Sequence, residues 1–366
     1  MALRALKVLL FFGTRPEAIK LAPVLQALRS VKRIEPVVCV SAQHRELLDQ
    51  VLQLFSIAPD YDLDLMHHDQ DLFQITRSIL ERIEPVLLSE RPDLVIVQGD
   101  AHTAFAGALS SYYAKIPVAH VEAGLRTHDK YAPFPEEMNR SFIDRVADLH
   151  FAPTKNARAN LLAEGIAKET VYVTGNTEID ALLLARERVP LVEEPILGKV
   201  ILVTAHRRES FHGGILRICE ALRELARRRD ITIVYPVHPN PNVRRTVEAE
   251  LAGRERISLI DPLDYVSFVH LMARAAIILT DSGGVQEGAA ALHIPLLVLR
   301  DTTERVEGLQ SGGARLVGTD PEKIVAEVNR LLDDKHAYKE MAQAKNPYGD
   351  GHAATRIVEI IKERFL

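Results

Sequence analysis

Residues 93–100 read "DLVIVQGD" and residues 117–124 read "PVAHVEAG". Each is a largely apolar run of strand length with a carboxylate at its end. A strand with one wet face alternates apolar and polar residues, whereas a near-continuous run is covered on both faces, as in parallel sheets flanked by helices. The same signature appears in "KVLLFF", "VVCVS", "LHFAP" and "VYVTGN". Helix-period segments lie between these runs, among them "EAIKLAPVLQALRS", "ELLDQVLQLF" and "LFQITRSILERIEPVLLSE". The alternation predicts an α/β chain built on a doubly wound parallel sheet.

The pattern breaks at "PLVEEPILGK", residues 190–199, where two prolines and two acids interrupt the periodicity and mark a linker. A second series of strand-like runs follows: "VILVTAHRRE", "ITIVYPVHPN", "ISLIDP", "AIILTDSGG", "IPLLVLRD" and "ARLVGT". At 366 residues the chain exceeds one ordinary core, since a domain averages about 150 residues. We therefore expect a first domain over 1–190, a second over 191–352, and a final amphipathic helix over 353–366 with a basic last turn.

With 47% hydrophobic residues, 26% charged residues and a net charge of −5, the chain has no basic field for nucleic acid or an anionic membrane. A small polar ligand is the better default. Cys39 and Cys219 are the only cysteines and both sit in apolar contexts, which speaks against a disulfide framework or thiolate metal site and fits a reducing cytoplasm. No metal is expected. The early "LRALKVLLFF" passes straight into "GTRPEAIK" without a small-residue cleavage site, so it reads as a first buried strand. No run reaches the roughly 18–20 apolar residues of a membrane span.

In doubly wound sheets ligands bind beyond the carboxyl ends of the strands, where loops converge and helix N-termini present free N–H groups. The first strand ends in "GTRPEAIK", which places Arg15 at a helix start and Lys20 one turn on. Neither G-x-G-x-x-G nor the P-loop pattern is present, so no dinucleotide fingerprint exists. In the second series "TDSGGVQEGAA" opens a helix with Ser282, Gly283 and Gly284. Two glycines there serve either helix packing or the approach of a diphosphate to backbone N–H groups. "TAHRRES" puts His206, Arg207 and Arg208 at another strand end. With Arg15, Lys20 and Arg305 they suggest a highly charged small anion held between two domains.

The acids complete the pattern. Asp100 and Glu122 end consecutive parallel-type strands and should project into one crevice, and Glu136 starts the helix after "PFPEE". Each alone also fits a cap or a solvated turn, and Glu136 or Glu137 has a dipole reason to sit at a helix start. Their convergence favours chemistry: carboxylates crowded beside an anion should have raised pKa values suited to proton exchange near neutrality.

The segments "FGTRPEAIKLAPV", "AQHRELLDQVLQLF", "HVEAGLRT", "PFPEEMNR", "VTGNTEIDAL", "HRRESF", "YPVHPNPNV", "LTDSGGVQE", "RDTTER" and "NPYGDG", in order and nearly end to end, resemble the bacterial non-hydrolysing UDP-N-acetylglucosamine 2-epimerases. The resemblance implies a GT-B arrangement of two Rossmann-like domains facing across a cleft, a last helix crossing back to the first domain, and a homodimer. It implies reversible inversion at C2 between UDP-GlcNAc and UDP-ManNAc by elimination and re-addition of UDP, without a cofactor, for cell-surface polysaccharide synthesis. By position, Arg15, Lys20 and His206 would meet the diphosphate region and Ser282, Gly283 and Gly284 the phosphates. Leu263 and Phe268 would lie at the uracil, with Arg305 also in the UDP site. Asp100, Glu122 and Glu136 would be acid/base and orienting carboxylates with His206 beside them in the catalytic set, and which acid serves which face of the sugar stays open.

One departure stands out. The family commonly reads "DSGG-x-QEE", with the second Glu on the ribose, whereas this chain has Gly288, leaving Glu287 to substitute or the contact absent. The resemblance also implies an activator site at Gln43, His44, Arg207 and His238, although Gln43 and His44 equally fit a helix-start turn. Alternative readings are a hydrolysing 2-epimerase that releases ManNAc and UDP, a GT-B glycosyltransferase, and a nucleotide-sugar sensor without turnover.

Overall fold

The apolar runs pair in parallel throughout. The structure, a computed structural model, describes residues 4–42, 45–65, 70–188, 197–207, 213–303 and 305–366. Gln43, His44, Arg208 and residues 190–196 of the expected linker lie outside the described residues. The chain divides into two units, Met1–Ala181 with Gly349–Leu366, and Leu182–Tyr348.

The first unit carries β1 (Leu6–Phe12), β2 (Ile34–Val40), β3 (Tyr61–Asp62), β4 (Leu94–Gln98), β5 (Val118–Val121), β6 (Leu149–Ala152) and β7 (Val171–Val173), in the order β3-β2-β1-β4-β5-β6-β7. The chain starts at the centre, winds to one edge, and crosses back beyond β1. The turns after β1 and β4 therefore leave in opposite directions, and a crevice opens at their tips. Val8, Leu9, Leu10 and Phe11 on β1 and Val95, Ile96 and Val97 on β4 are all fully buried, which is why their sequence does not alternate. β3 is only two residues long, too short for a periodic signal.

The second unit repeats the plan with β8 (Lys199–Thr204), β9 (Ile231–Pro236), β10 (Ile257–Ile260), β11 (Ala275–Thr280), β12 (Leu296–Val298) and β13 (Ala314–Leu316), in the order β10-β9-β8-β11-β12-β13. Its switch point lies between β8 and β11, whose tips carry His206 and Ser282. Two Rossmann-like parallel-sheet units in one chain are the composition of a GT-B type protein.

The last helix, Ala353–Phe365, belongs to the first unit. Asp180 accepts the backbone N–H groups of Ala353 (3.3 Å) and Ala354 (2.9 Å), placing a carboxylate at the positive end of the helix. At the other end Arg364 donates to the Tyr172 hydroxyl at 2.9 Å. Among the described residues no helix is long and apolar enough to cross a membrane. Both cysteines are buried thiols, pushed up to about 12 by burial, and so resist ionisation.

Candidate active site

The turn after β1 is tight because Gly13 has no side chain: a Cβ there would lie 1.8 Å from Ser41 Oγ and 2.6 Å from Thr103 Oγ1. Helix Arg15–Arg29 follows directly, with Thr14 as its N-cap and Glu17 closing a capping box. Glu17 Oε2 accepts from Gly13 N (3.0 Å) and Thr14 N (2.8 Å), while Oε1 is buried without a hydrogen-bond partner. Burial, opposed by the Thr14 side chain and by the two backbone N–H groups, raises this carboxyl to about 7. Arg15 occupies the first helical position, half-buried.

One turn on, Lys20 Nζ reaches both carboxylate oxygens of Glu122 at 2.7 Å. The side chains of this pair are 14% and 7% exposed, so it sits largely out of water. Glu122 also receives Gln98 Nε2 from the end of β4 and Asn176 Nδ2 (3.3 Å) from beyond β7. Its backbone turns sharply just after β5, at φ 68°. Three donors on a largely buried carboxylate favour its ionised, proton-accepting form.

Asp100 lies in the turn after β4, its Oδ2 accepting Arg140 Nη2 at 2.5 Å and its carbonyl accepting Asn139 Nδ2 at 2.9 Å. Arg140 and Asn139 belong to helix Glu136–Val146, which also begins with the two acids after Pro135. These two acids differ in task. Glu137 is buried and its Oε1 accepts the N–H groups of Thr127 and His128, closing the loop after β5. Glu136 is half-buried, and its charge opposes the effect of burial, which lowers the pKa of His102.

In the second unit Asp281, fully buried after β11, accepts the N–H groups of His206 (2.7 Å) and Arg207 (2.8 Å). His206 Nδ1 stands 3.5 Å from Asp281 Oδ1, and its ring stacks on His238 at 5.0 Å between centroids. Burial first, then the neighbouring His206, lowers the pKa of His238. Arg207 Nε donates to the Asp281 carbonyl at 3.0 Å. Ser282 caps helix Gly283–Ala291, and a Cβ added to the exposed Gly284 would meet nothing within 4 Å. Packing among the described residues therefore gives no reason for glycine at 284.

Glu287 is buried and takes Arg305 Nε at 2.8 Å, which ties two of the expected nucleotide-site residues together. At Gly288 a Cβ would lie 2.8 Å from Met272 Cε and 3.0 Å from Leu182 Cδ1, so neighbouring side chains fill the space an acid would need. Leu263 and Phe268, half-buried, pack against the apolar cluster beside β11.

Among the described residues the expected acids and cations thus fall at strand tips or in the first turns of helices. Their fixing partners went unnoticed in sequence: Gln98, Asn176, Arg140, Glu17 and Asp281. Only Glu17 and Asp281 left a local signal, as the fourth position of a capping box and as the acid directly before Ser282.

A family model described as UDP-N-acetylglucosamine 2-epimerase matches residues 26–362. The UDP-N-acetylglucosamine 2-epimerase of Yersinia pestis is 53% identical over 372 residues, covering 98% of this chain and 98% of that protein. Its Escherichia coli K12 counterpart is 52% identical over 370 residues, again covering 98% of each. The crystal structure of UDP-GlcNAc 2-epimerase from Neisseria meningitidis bound to UDP-GlcNAc matches with a TM-score of 0.88 at 45% identity, over 98% of this chain and 100% of that one. Agreement at this level across nearly the whole length leaves one conclusion: the chain belongs to the UDP-N-acetylglucosamine 2-epimerase family.

Proposed function

We propose that the protein interconverts UDP-GlcNAc and UDP-ManNAc by eliminating UDP and adding it back, which makes it an isomerase. The observation that carries this reading is Glu122, held as a carboxylate by Lys20, Gln98 and Asn176 at the tip of β5, on the strand adjacent to the one that ends in Asp100. A C2 proton on an N-acetyl sugar is barely acidic. Removing it as the C1–O bond breaks avoids a free carbanion, because the electron pair forms the C1–C2 double bond while the bond to oxygen leaves with UDP. Return of the β-phosphate oxygen to C1, with a proton delivered to the opposite face of C2, completes the inversion.

In this reading the first unit takes the hexose, with Asp100, Glu122 and Glu136 as its proton-handling acids. The second takes UDP, through His206, Ser282, Gly283, Gly284 and Arg305. A helix N-terminus with accessible N–H groups stabilises the charge that grows on the departing diphosphate. Each proton-transfer group contributes on the order of 10²- to 10⁴-fold in rate.

We further infer self-association through the first unit and a place in the cytoplasm, supplying ManNAc units for a surface polysaccharide. Support for a dimer comes from Leu88 and Tyr113, which are 61% and 68% exposed and line a groove of about 360 Å³ between helices Leu72–Glu90 and His102–Tyr113. Sedimentation of the whole chain at one subunit mass would remove the dimer.

The activity is tested by incubating the protein with UDP-GlcNAc in D₂O. The expected result is UDP-ManNAc together with deuterium at C2 of both sugars, lost in Glu122→Gln with the fold intact. Free ManNAc carrying solvent oxygen, or no exchange at C2, would overturn the reading.

A further inference from the structure

Behind the acids lies a buried chain of alternating charge that the proposed chemistry does not use. His120 on β5 is fully buried, with Nδ1 2.6 Å from Asp144 Oδ1 and Nε2 2.8 Å from the Gly99 carbonyl. Asp144 Oδ2 accepts Arg126 Nη2 at 2.7 Å and the Gly124 N–H at 3.2 Å. Arg126 continues to Glu164 through Nε (2.7 Å) and Nη2 (2.8 Å) and donates to the Leu125 carbonyl at 2.7 Å. The side chains of His120, Asp144 and Arg126 are 0%, 1% and 2% exposed.

A carbonyl and a carboxylate only accept, so both ring nitrogens of His120 face acceptors. A neutral ring would point a lone pair at one of those oxygens, whereas hydrogen on both nitrogens turns each contact into a donated hydrogen bond. The contacts are also well placed. Gly99 precedes Asp100 and has φ 68°, while Gly124 follows Glu122 by two residues and has φ 85°. The same helix that supplies Asp144 supplies Arg140 and Asn139 to Asp100. Burying ions costs solvation that apolar residues would avoid, so such a chain calls for a reason other than stability.

We propose that His120, as an imidazolium bridging Gly99 and Asp144, is a positioning residue that holds the Asp100 turn in register with the Glu122 turn. This rests on the epimerase reading of the acids. Carboxylates set on two separate turns must reach C2 in a fixed geometry, and a displacement of about 1 Å can cost on the order of 10²-fold in rate.

The test combines one measurement on the unaltered protein with two variants. With ¹⁵N-labelled histidine, both ring nitrogens of His120 should carry protons at neutral pH; a lone pair at either position overturns the proposal. Glutamine reaches as far as Nε2 and keeps a donor for Gly99, whereas asparagine reaches only to Nδ1. His120→Asn should therefore lower kcat about 10²-fold with KM within about threefold of wild type, and His120→Gln should recover at least about tenfold of that loss. Wild-type kcat in both variants, or equal losses in both, overturns the proposal. Wild-type protein without C2 exchange would sink the epimerase reading instead, and the ring-nitrogen result would still decide whether the bridge exists.

Discussion

Glu17 should make this protein lose stability as the pH rises from 4.5 to about 7, and replacing it with glutamine should remove that loss. The side chain is 2% exposed, with one oxygen bonded to the Gly13 and Thr14 N–H groups and the other unpartnered among the described residues. Burial raises its pKa from 4.5 to about 7. The folded state therefore favours the protonated form. Glu17 favours folding fully below pH 4.5, progressively less from 4.5 to 7, and costs a constant amount above 7. A gap of about 2.5 pH units at about 1.4 kcal/mol each corresponds to about 3.5 kcal/mol. Glu17→Gln keeps the volume and the two accepted hydrogen bonds but cannot ionise. Its unpartnered amide costs about 1–3 kcal/mol at every pH and so cancels from the comparison. Urea unfolding at pH 4.5 and pH 8, followed by circular dichroism, should show the variant gaining about 2–3 kcal/mol on the wild type between the two conditions. A stability difference that is the same at both pH values would refute the reasoning.

Three further outcomes follow from the same contacts. Lys20→Met leaves the Glu122 carboxylate buried without its cation and should destabilise by about 3–5 kcal/mol in thermal unfolding. Adding Glu122→Gln should restore most of that stability but none of the turnover, and equal recovery of both would remove Glu122 from the chemistry. Gly284→Ala meets no atom of the described residues, so unfolding should shift by no more than about 1 kcal/mol, while calorimetry should show UDP binding weakened about tenfold or more; unchanged affinity would take this helix start out of the nucleotide site. Gly13→Ala drives a methyl into Ser41 and Thr103 and should cost about 1–3 kcal/mol, with loss of activity as the turn before Arg15 shifts; normal stability would show that the turn yields easily.

Much of the architecture could be read from the chain because full burial writes itself into composition. The runs at β1, β4 and β11 are apolar on both faces, and their parallel pairing follows from the helical segments between them. β3 escaped because two residues carry no period. The strand-tip placement of Asp100 and Glu122, the proposed proton-handling acids, was legible from the rule that puts ligands beyond the carboxyl ends of strands. Their partners were not. Gln98 lies 24 residues from Glu122, Asn176 lies 54 away, and Arg140 lies 40 from Asp100. The strand order alone brings such groups together, as when the adjacency of β8 and β11 delivers Asp281 to the backbone of His206 from 75 residues away. His120 was hidden for another reason: in a buried strand, one histidine among aliphatic residues gives no hint that it bridges a carbonyl and a carboxylate.

The departure and return of UDP is most directly tested with substrate carrying ¹⁸O in the bridge between C1 and the β-phosphorus. If the C1–O bond breaks during turnover, the freed diphosphate can rotate, and UDP-GlcNAc recovered at partial conversion should carry label in non-bridging β-phosphate positions. Label confined to the bridge, while C2 exchanges its hydrogen with solvent, would contradict elimination and require inversion at an intact glycosyl phosphate.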